Sequence, residues 1–322
     1  MDAIMTGSVP PVALGGLLTA LQTKGVSGEE LRGLADAMVD HAVDLAGPEE
    51  AVDIVGTGGD LANTVNISTM ASMVVASTGV PVVKHGNRAS TSKSGSADVL
   101  EALGVSLDLE PSDVEAVLHE VGITFCFAQV FHPSMRHAVE ARRGVGVPTV
   151  FNLLGPLTNP SRPSATAVGV ADASMAPVVA DVFAGRGTSA LVFRGRDGLD
   201  EITVGDCSDV WEVRGSRVVR HELDPRALLG VHRSPLEALR GGTAAENADV
   251  ARRLFDGETG PVRDAVLVNA AAAICAARAR DLQAPGTFEE RFAEAHRAAE
   301  EALDSGAPRR VLMAWCEATA GR

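Results

Sequence analysis

The sequence predicts an α/β protein in which a small all-helical N-terminal domain precedes a large α/β domain with a central, mostly parallel sheet flanked by helices. Ahead of Gly47 the chain shows only helical periodicity, whereas from Ala51 short apolar runs alternate with helical segments. Strands that are apolar throughout and separated by helices are typical of a sheet covered on both faces.

The N-terminal helices are predicted from the spacing of apolar residues. Two series recur at helical intervals: Leu14, Leu17, Leu18 and Leu21, then Leu31, Leu34, Ala35, Met38, Ala42 and Leu45. Between them, Ser27 and Glu30 match a capping box. We therefore expect two amphipathic helices before Gly47 and Pro48.

After Ala51 the predicted elements are short. Strands are predicted in the runs AVDIV, VPVVKH, ITFCFA, TAVGVA and SALVFRG. Helices are predicted in MASMVVAS, ADVLEALG, PSDVEAVLHEVG and MAPVVADVFAG, and glycine follows several of them, as is usual after a helix C-terminus. From Ala244 the chain is rich in alanine and glutamate, which indicates mostly helices.

Composition limits the classes of function. The chain has 322 residues, 46% hydrophobic, which is enough for a large core. A formal net charge of -14 argues against nonspecific nucleic-acid binding, which depends on Lys and Arg. The four cysteines lie far apart and form no CxxC pair, so neither a zinc site nor a disulfide framework is indicated. With no basic leader and no apolar run of membrane-spanning length, we expect a cytoplasmic protein without a membrane partner.

Two loops follow predicted strands and suit an anionic ligand. The first is GTGGD (56–60), whose glycines permit positive φ and leave backbone N–H groups free for phosphate oxygens. The second contains Lys84, His85, Arg88 and Lys93, a predicted cation cluster in an acidic protein. Both loops should face one crevice, because ligands of such sheets bind at the carboxyl ends of the strands.

Each motif also has a simpler interpretation. The glycine-rich loop alone is equally consistent with a tight turn. It is no dinucleotide fingerprint, because Leu61 replaces the third glycine, and Ser92 before Lys93 breaks a Walker A pattern. Asp200 and Glu201 suit magnesium, which prefers oxygen ligands, although two acids in a solvated turn would look the same.

Taken together, the motifs resemble those of the anthranilate phosphoribosyltransferases, a family of nucleoside-phosphorylase-like phosphoribosyltransferases. The resemblance covers nearly the whole chain, through GTGGD (56–60), NTVNIST (63–69), KHGNR (84–88), SKSGSADVLEALG (92–104), FCFA (125–128), HPSMRHA (132–138), VFNLLGPLTNP (150–160), DGLDE (197–201) and RDAVLVNAA (263–271). Several long motifs in the same order make coincidence an inadequate explanation.

This resemblance implies a glycosyltransferase of tryptophan biosynthesis that transfers the 5-phosphoribosyl group of phosphoribosyl pyrophosphate (PRPP) to the amine of anthranilate and releases pyrophosphate. The implied PRPP-binding residues are Gly56, Gly58, Gly59, Asp60, Thr64, Asn66, Ser68, Thr69, Lys84 and Ser96. The implied anthranilate-binding residues are Gly56, His85, Asn87 and Arg142, of which the arginine can pair bidentately with a carboxylate. Mg²⁺ would be held by Ser68, Asp200 and Glu201, and Lys84 would stabilise the leaving group. No general base is assigned, since His85 and His137 are equally suited to packing or hydrogen bonding.

The resemblance further implies a homodimer joined through the helical domain, with domain motion over the two loops. The helical domain would comprise residues 1–48 and a returning segment near residues 134–152. The α/β domain, which binds the phosphoribosyl group, would comprise residues 49–133 and 153–322.

Three positions depart from the family pattern. Leu61 stands where most relatives have glycine, Met135 where some have tyrosine, and Gly144 where glutamate is usual. These departures motivate one alternative, a phosphoribosyltransferase with a different aromatic acid as acceptor. A noncatalytic paralogue that binds nucleic acid is a third interpretation, and the acidic chain with both Asp200 and Glu201 present argues against it.

Overall fold

The computed structural model describes residues 1–89 and 93–322, so Ser92, where the Walker A pattern fails, lies outside the described residues. A seven-stranded sheet with the order β3-β2-β1-β4-β5-β6-β7 forms its centre. The strands are β1 (Val52–Gly56), β2 (Val82–Gly86), β3 (Ile123–Phe127), β4 (Ala165–Gly169), β5 (Ser189–Gly195), β6 (Ser208–Arg214) and β7 (Arg217–Leu223). The first five run parallel, and β6 and β7 are antiparallel additions at one edge.

Helices precede the sheet, connect its strands and close the chain. Those before β4 are α1 (Asp2–Met5), α2 (Pro11–Lys24), α3 (Gly28–Asp40), α4 (Ile67–Ser77), α5 (Ser96–Leu103), α6 (Pro111–Val121), α7 (Ala128–Phe131), α8 (Val139–Val145) and α9 (Phe151–Leu154). Those after β4 are α10 (Ala176–Arg186), α11 (Pro225–Leu229), α12 (Ala244–Phe255), α13 (Pro261–Arg278), α14 (Phe288–Asp304) and α15 (Ala307–Thr319). Short 3₁₀ turns span Pro133–Ala138, Gly155–Leu157 and Leu236–Leu239. None of the helices in the described chain is long and apolar enough to cross a bilayer.

The predicted fold class is confirmed: N-terminal helices precede an α/β domain with a mostly parallel sheet. The capping box of α3 forms as expected, with the Glu30 N–H donating to Ser27 Oγ and the Ser27 N–H donating to Glu30 Oε2. The predicted extension of this helix to Leu45 is wrong. The helix ends at Asp40, and the Val43 N–H then donates to the carbonyl of Phe131, so Leu45 reaches the core from a loop.

The antiparallel pair β6 and β7 was not predicted from the sequence. For most of its length β6 alternates between buried and half-buried residues, whereas in β7 only Leu223 is buried, which is the pattern of a sheet edge with one covered face. The turn between them is formed by Gly215 and Ser216 and is tight, with Gly215 at a φ of 59°. The pair extends the sheet beyond β5, away from the strand ends that carry the two predicted ligand loops.

Two clusters of buried residues fill the molecule. The larger one covers the sheet face against which α4 and α13 pack. The second joins the N-terminal helices to α8, α9, α10 and residues of β4, β5 and β6, with Leu18, Ala141 and Phe151 among its members. The segment after β3 therefore returns to the N-terminal helices and carries Arg142 on α8. The division into residues 1–48 with 134–152, and 49–133 with 153–322, stays a prediction, which this shared core supports.

Gly144 and Gly146 provide a matched test of the helix that carries Arg142. Gly144 lies within α8, and a Cβ added there meets open space, so Gly144→Ala should raise the free energy of unfolding by about 1 kcal/mol through helix propensity. Gly146 ends the helix at a φ of 68°, so Gly146→Ala should lower the free energy by about 1 kcal/mol. Urea denaturation of both variants measures these changes. Changes in the free energy of unfolding that have the same sign in both variants would contradict the assignment of the helix end.

Candidate active site

The carboxyl ends of β1 and β4 form a cradle for Asp200. Gly56 and Gly169 are the last register partners of these two strands, and a Cβ added at either position would collide with Asp200. The N–H of Gly58, whose φ is 68°, donates to Asp200 Oδ2 at 2.7 Å. The first glycine-rich loop and the DGLDE loop are thus held together. Gly169 was missed in the sequence because it lies inside the predicted strand TAVGVA, whereas the structure ends β4 at Gly169, where ligand sites are expected.

Three carboxyl groups meet at this cradle. The carboxyl group of Asp60 approaches that of Asp200, and Glu201 is next in the chain. Burial and the charge of Asp60 raise the pKa of Asp200 to about 7, and burial and the charge of Asp200 hold the pKa of Glu201 well above its usual range. These shifts mark a surplus of negative charge, which a bound cation would relieve.

Strands β1 and β2 separate toward the crevice, and side chains replace their ladder hydrogen bonds. In the described chain their ladder has one register pair, Val52 with Val82, whereas β1 and β4 form five. Beyond it, Lys84 Nζ donates to the carbonyl of Ile54 at 2.6 Å, and the His85 N–H donates to Asp53 Oδ1 at 3.1 Å. The gap between the strands is therefore filled by a buried cation and a buried carboxyl group.

Asn159 completes this buried network, and sequence reasoning missed it. Its Nδ2 donates to Asp53 Oδ2 at 2.9 Å and to the carbonyl of Val83 at 2.8 Å. Burial raises the pKa of Asp53 to about 6, against the opposing charge of Lys84. Burial also lowers the pKa of Lys84, whose side chain is 1% exposed and whose Nζ donates to Ser68 Oγ at 3.2 Å. Lys84 therefore lies beneath Ser68, and its role toward a leaving group stays a prediction.

The predicted cation cluster does not face the crevice as one group. Arg88 is engaged by Asp98 at 3.0 Å and by Glu101 at 2.5 Å. His85 is neutral at physiological pH, because burial and the neighbouring His132 lower its pKa to about 3. Lys93 is exposed, and Lys84 is buried. Sequence proximity thus predicted neither the neutral state of His85 nor the partners of Arg88 and Lys84.

All four predicted acceptor residues line one cavity of about 580 Å³. Gly56, His85, Asn87 and Arg142 contribute to its wall, with Met135 at the position where some relatives have tyrosine. The Arg142 guanidinium is half-buried and lies 5.2 Å from the centre of the Phe151 ring. No carboxylate in residues 1–89 or 93–322 forms an ion pair with it, and burial lowers its pKa. An aromatic wall with an unpaired arginine suits a planar carboxylic acid.

Two histidines anchor the turn that borders this cavity. His85 Nδ1 donates to the carbonyl of Gly155 at 3.0 Å, and His132 Nε2 donates to the carbonyl of Thr158 at 2.8 Å. Their rings lie 5.1 Å apart. Since a carbonyl only accepts, both bonds fix the ring tautomers, and His85 Nε2 remains an acceptor without a partner among the described residues. His132 was not singled out in the sequence, and His137 does not line the cavity.

The remaining residues predicted to bind PRPP differ in how deeply they are buried below the crevice. Gly59 has a φ of 86°, Ser96 begins α5, and both belong to the two loops. Thr64 forms an antiparallel bridge with Arg240. Asn66 is the N-cap residue of α4, and Ser68 and Thr69 lie inside that helix. Thr69 is fully buried, so the structure places it below the crevice.

The backbone conformation at Leu61 favours glycine at this position. It adopts a φ of 60°, a left-handed conformation that costs an L-residue about 1–2 kcal/mol, and its side chain is 76% exposed. An exposed leucine with a strained backbone therefore lies at the edge of the glycine-rich loop.

Comparisons with known proteins define the class and then the family. The chain matches the model of the glycosyl transferase family a/b domain over residues 48–309 and that of its helical bundle domain over residues 1–42. The chain belongs to the anthranilate phosphoribosyltransferase family. It is 55% identical to the anthranilate phosphoribosyltransferase of Arthrobacter sp. (strain FB24), with 100% of this chain and 90% of the relative covered.

Solved structures of the same family superpose on this chain. The anthranilate phosphoribosyltransferase of Thermus thermophilus superposes with a TM-score of 0.91 and 42% identity, covering 99% of this chain and 93% of that one. The Saccharomyces cerevisiae protein, solved in complex with PRPP and Mg, superposes with a TM-score of 0.86 and 29% identity, covering 97% and 86%. The same yeast protein is also solved in complex with 4-fluoroanthranilate, at 27% identity, a TM-score of 0.83 and the same coverage.

Gly169→Ala tests the cradle. The added methyl group collides with the backbone of Asp200, so we expect the free energy of unfolding to fall by about 1–3 kcal/mol and turnover to fall with it. Chemical denaturation and an activity assay measure both effects. Gly33→Ala in α3 is the control, since its added Cβ meets open space. Wild-type stability and turnover in Gly169→Ala would show that the two strand ends do not position Asp200.

Proposed function

We propose that the chain transfers the 5-phosphoribosyl group of PRPP to the amine of anthranilate, giving N-(5-phosphoribosyl)anthranilate and pyrophosphate. The observation that carries this proposal is the half-buried Arg142, which has no carboxylate partner among the described residues and lines the same cavity as Gly56. Gly56 in turn contacts Asp200. One residue thus joins an acceptor cavity suited to an aromatic acid to a cluster of acids suited to a metal-bound phosphate.

Donor binding is assigned to the two loops and the start of α4. The positive-φ backbone of Gly58 and Gly59 and the N–H of Gly59 suit phosphate oxygens, with Asp60, Asn66 and Ser68 around them, while the Gly58 N–H is already bonded to Asp200 Oδ2. Thr64, Thr69, Lys84 and Ser96 remain part of the proposed PRPP site. Lys84 would act from beneath, through its hydrogen bond to Ser68.

Asp200 and Glu201 fit a magnesium ion, with Ser68 on the pyrophosphate side. Burial and, after it, neighbouring negative charge raise the pKa values of both acids, and oxygen donors are those that Mg²⁺ prefers. No group of three or more His, Cys, Asp or Glu side chains in the described chain is already arranged to hold a metal. This agrees with Mg²⁺ sites that use one or two carboxylates and complete the shell with water and substrate phosphates. When bound, the ion would neutralise charge on the departing pyrophosphate.

The transfer itself needs positioning more than acid–base catalysis. The bond between the anomeric carbon and pyrophosphate breaks and pyrophosphate keeps the electron pair. The amine nitrogen bonds to the same carbon and loses one of its protons to pyrophosphate or to water. An arylamine is already unprotonated near neutral pH, so it needs little activation. Arg142 holds the acceptor carboxylate, and the buried site strengthens electrostatic stabilisation of the leaving group. Neutral His85 and the exposed Asn87 border the acceptor.

Arg142→Ala tests the acceptor assignment. We expect the KM for anthranilate to rise about 10-fold or more, since a charged hydrogen-bonding partner is lost, while the KM for PRPP stays within about 2-fold. Loss of anthranilate fluorescence, measured with PRPP and Mg²⁺ and repeated with EDTA, reports the rates. Arg143→Ala is the matched control, because Arg143 is adjacent and exposed but does not line the cavity.

The outcomes separate the alternatives. Turnover that needs PRPP and metal supports the proposed reaction. A wild-type chain that binds PRPP in calorimetry but leaves anthranilate unchanged would instead support another aromatic acid as acceptor. An equal rise of both KM values in Arg142→Ala would argue that Arg142 supports the fold rather than the acceptor.

We further propose a cytoplasmic homodimer joined through the N-terminal helices. Val12 is 89% exposed and Leu17 is 45% exposed, both on α2. Beside them runs a groove of small residues from α2 and α8: Gly15, Gly16, Thr19, Ala20, Gly144 and Val145. A second copy would cover this apolar face.

Charges on α2 test the dimer. Val12→Asp combined with Leu17→Asp should shift the chain from twice its 33.2 kDa mass to the monomer, because buried carboxylates would oppose the interface. Size-exclusion chromatography with light scattering measures the mass. Met313→Asp on α15, which is 54% exposed, is the control and should leave the mass unchanged. An unchanged dimer in the α2 variant would place the interface elsewhere.

A further inference from the structure

A segment outside the recognised motifs supports the first phosphate loop from behind. Residues 239–242 run antiparallel to residues 63–65, with the Val65 N–H donating to the carbonyl of Leu239 at 2.9 Å and the Gly241 N–H donating to the carbonyl of Asn63 at 2.8 Å. A Cβ added at Gly241 would lie 2.6 Å from the carbonyl oxygen of Thr64. The two backbones are therefore in direct contact, and α12 begins immediately after this contact.

Three hydrogen bonds then connect α12 to both phosphate loops. The Gly242 N–H donates to Asn247 Oδ1 at 2.8 Å, Asn247 Nδ2 donates to Asn66 Oδ1 at 2.8 Å, and Asn66 Nδ2 donates to the carbonyl of Ser94 at 3.2 Å. Asn66 ends the loop after β1, and Ser94 belongs to the loop after β2. We call this series the amide relay. Asn247 is 3% exposed, so its amide exchanges no bonds with bulk solvent.

The direction of the amide relay is set at both ends. A backbone N–H only donates and a backbone carbonyl only accepts, so Gly242 requires an oxygen from Asn247 and Ser94 requires an NH₂ group from Asn66. Each requirement leaves the other end of that side chain to face its neighbour. The two remaining groups are an NH₂ on Asn247 and an oxygen on Asn66, which are complementary. Flipping either amide would place like groups against each other.

Asn66 takes part in the amide relay instead of capping α4 with its side chain. It is the N-cap residue of α4, and asparagine is among the residues that most favour capping with the side chain. In the described chain its side chain makes no such bond and reaches across to Asn247 and Ser94 instead. The side chain of Asn66 is thus used to join the two loops rather than to stabilise the helix that follows.

We propose that Asn247 is a positioning residue for the donor site. By holding the amide of Asn66, it sets the separation between the loop after β1 and the loop after β2, and so between Gly58 and Ser96. Asn247 itself touches no substrate. This proposal rests on the proposed function, in which both loops bind PRPP.

Asn247→Leu keeps the size of the side chain and removes both of its hydrogen bonds. We expect the KM for PRPP to rise about 10-fold, the order expected for a lost buried hydrogen bond, with the KM for anthranilate unchanged. Asn247→Ala is the second variant in case the leucine does not fold. Thr319→Val is the matched control: Thr319 is 1% exposed, accepts from the Ser106 N–H and donates to the carbonyl of Trp315, so its loss should lower the Tm without moving either KM.

A double-mutant cycle tests whether Asn247 acts through Asn66. In the Asn66→Ala background, Asn247→Leu should raise the KM for PRPP no further, because its target is already gone. Independent, multiplicative increases would overturn the proposal, and so would a wild-type KM in Asn247→Leu when wild-type chain binds PRPP in calorimetry. If the wild-type chain binds no PRPP, the proposed function fails, and the role of Asn247 fails with it.

Discussion

The close approach of Asp200 to the ends of β1 and β4 is the constraint on which the rest of the site depends. Only glycine at positions 56 and 169 leaves room for it, and the Gly58 N–H then fixes one carboxylate oxygen. Because these glycines are register partners in neighbouring parallel strands, the sheet itself sets the position of the acids. Gly56 also lines the cavity that contains Arg142, so the proposed donor and acceptor regions share this residue.

Separation of β1 from β2 opens the crevice, and buried charge stabilises the separation. A backbone ladder would close the gap, but here Lys84 and Asp53 satisfy the freed carbonyl and N–H groups. Burying a cation and a carboxyl group is costly unless each is hydrogen-bonded, and Asn159 and Ser68 supply further bonds. Two of the most buried charges of the site thus bridge β1 and β2.

Local sequence predicted elements well where local signals decide structure. The capping box at Ser27 and Glu30, and glycine after α5 and α6, fixed helix ends correctly. Leu45 was wrongly predicted to belong to a helix, because an apolar residue buried from a loop can fall at the same spacing as one on a helix face. The β6 and β7 pair was missed because it depends on pairing with the far side of β5, which short apolar runs do not indicate.

The sequence by itself determined the family, the fold class, the two loops and the residue types proposed to bind phosphate, metal and carboxylate, since these lie in contiguous motifs. Tertiary structure decided which of those groups are available. It paired Arg88 with Asp98 and Glu101, placed Lys84 beneath Ser68, and left Arg142 without a carboxylate among the described residues. It also joined Asn66 to Asn247 across 181 positions. A hydrogen bond depends on distance and direction in space, and spacing along the chain carries neither for residues so far apart.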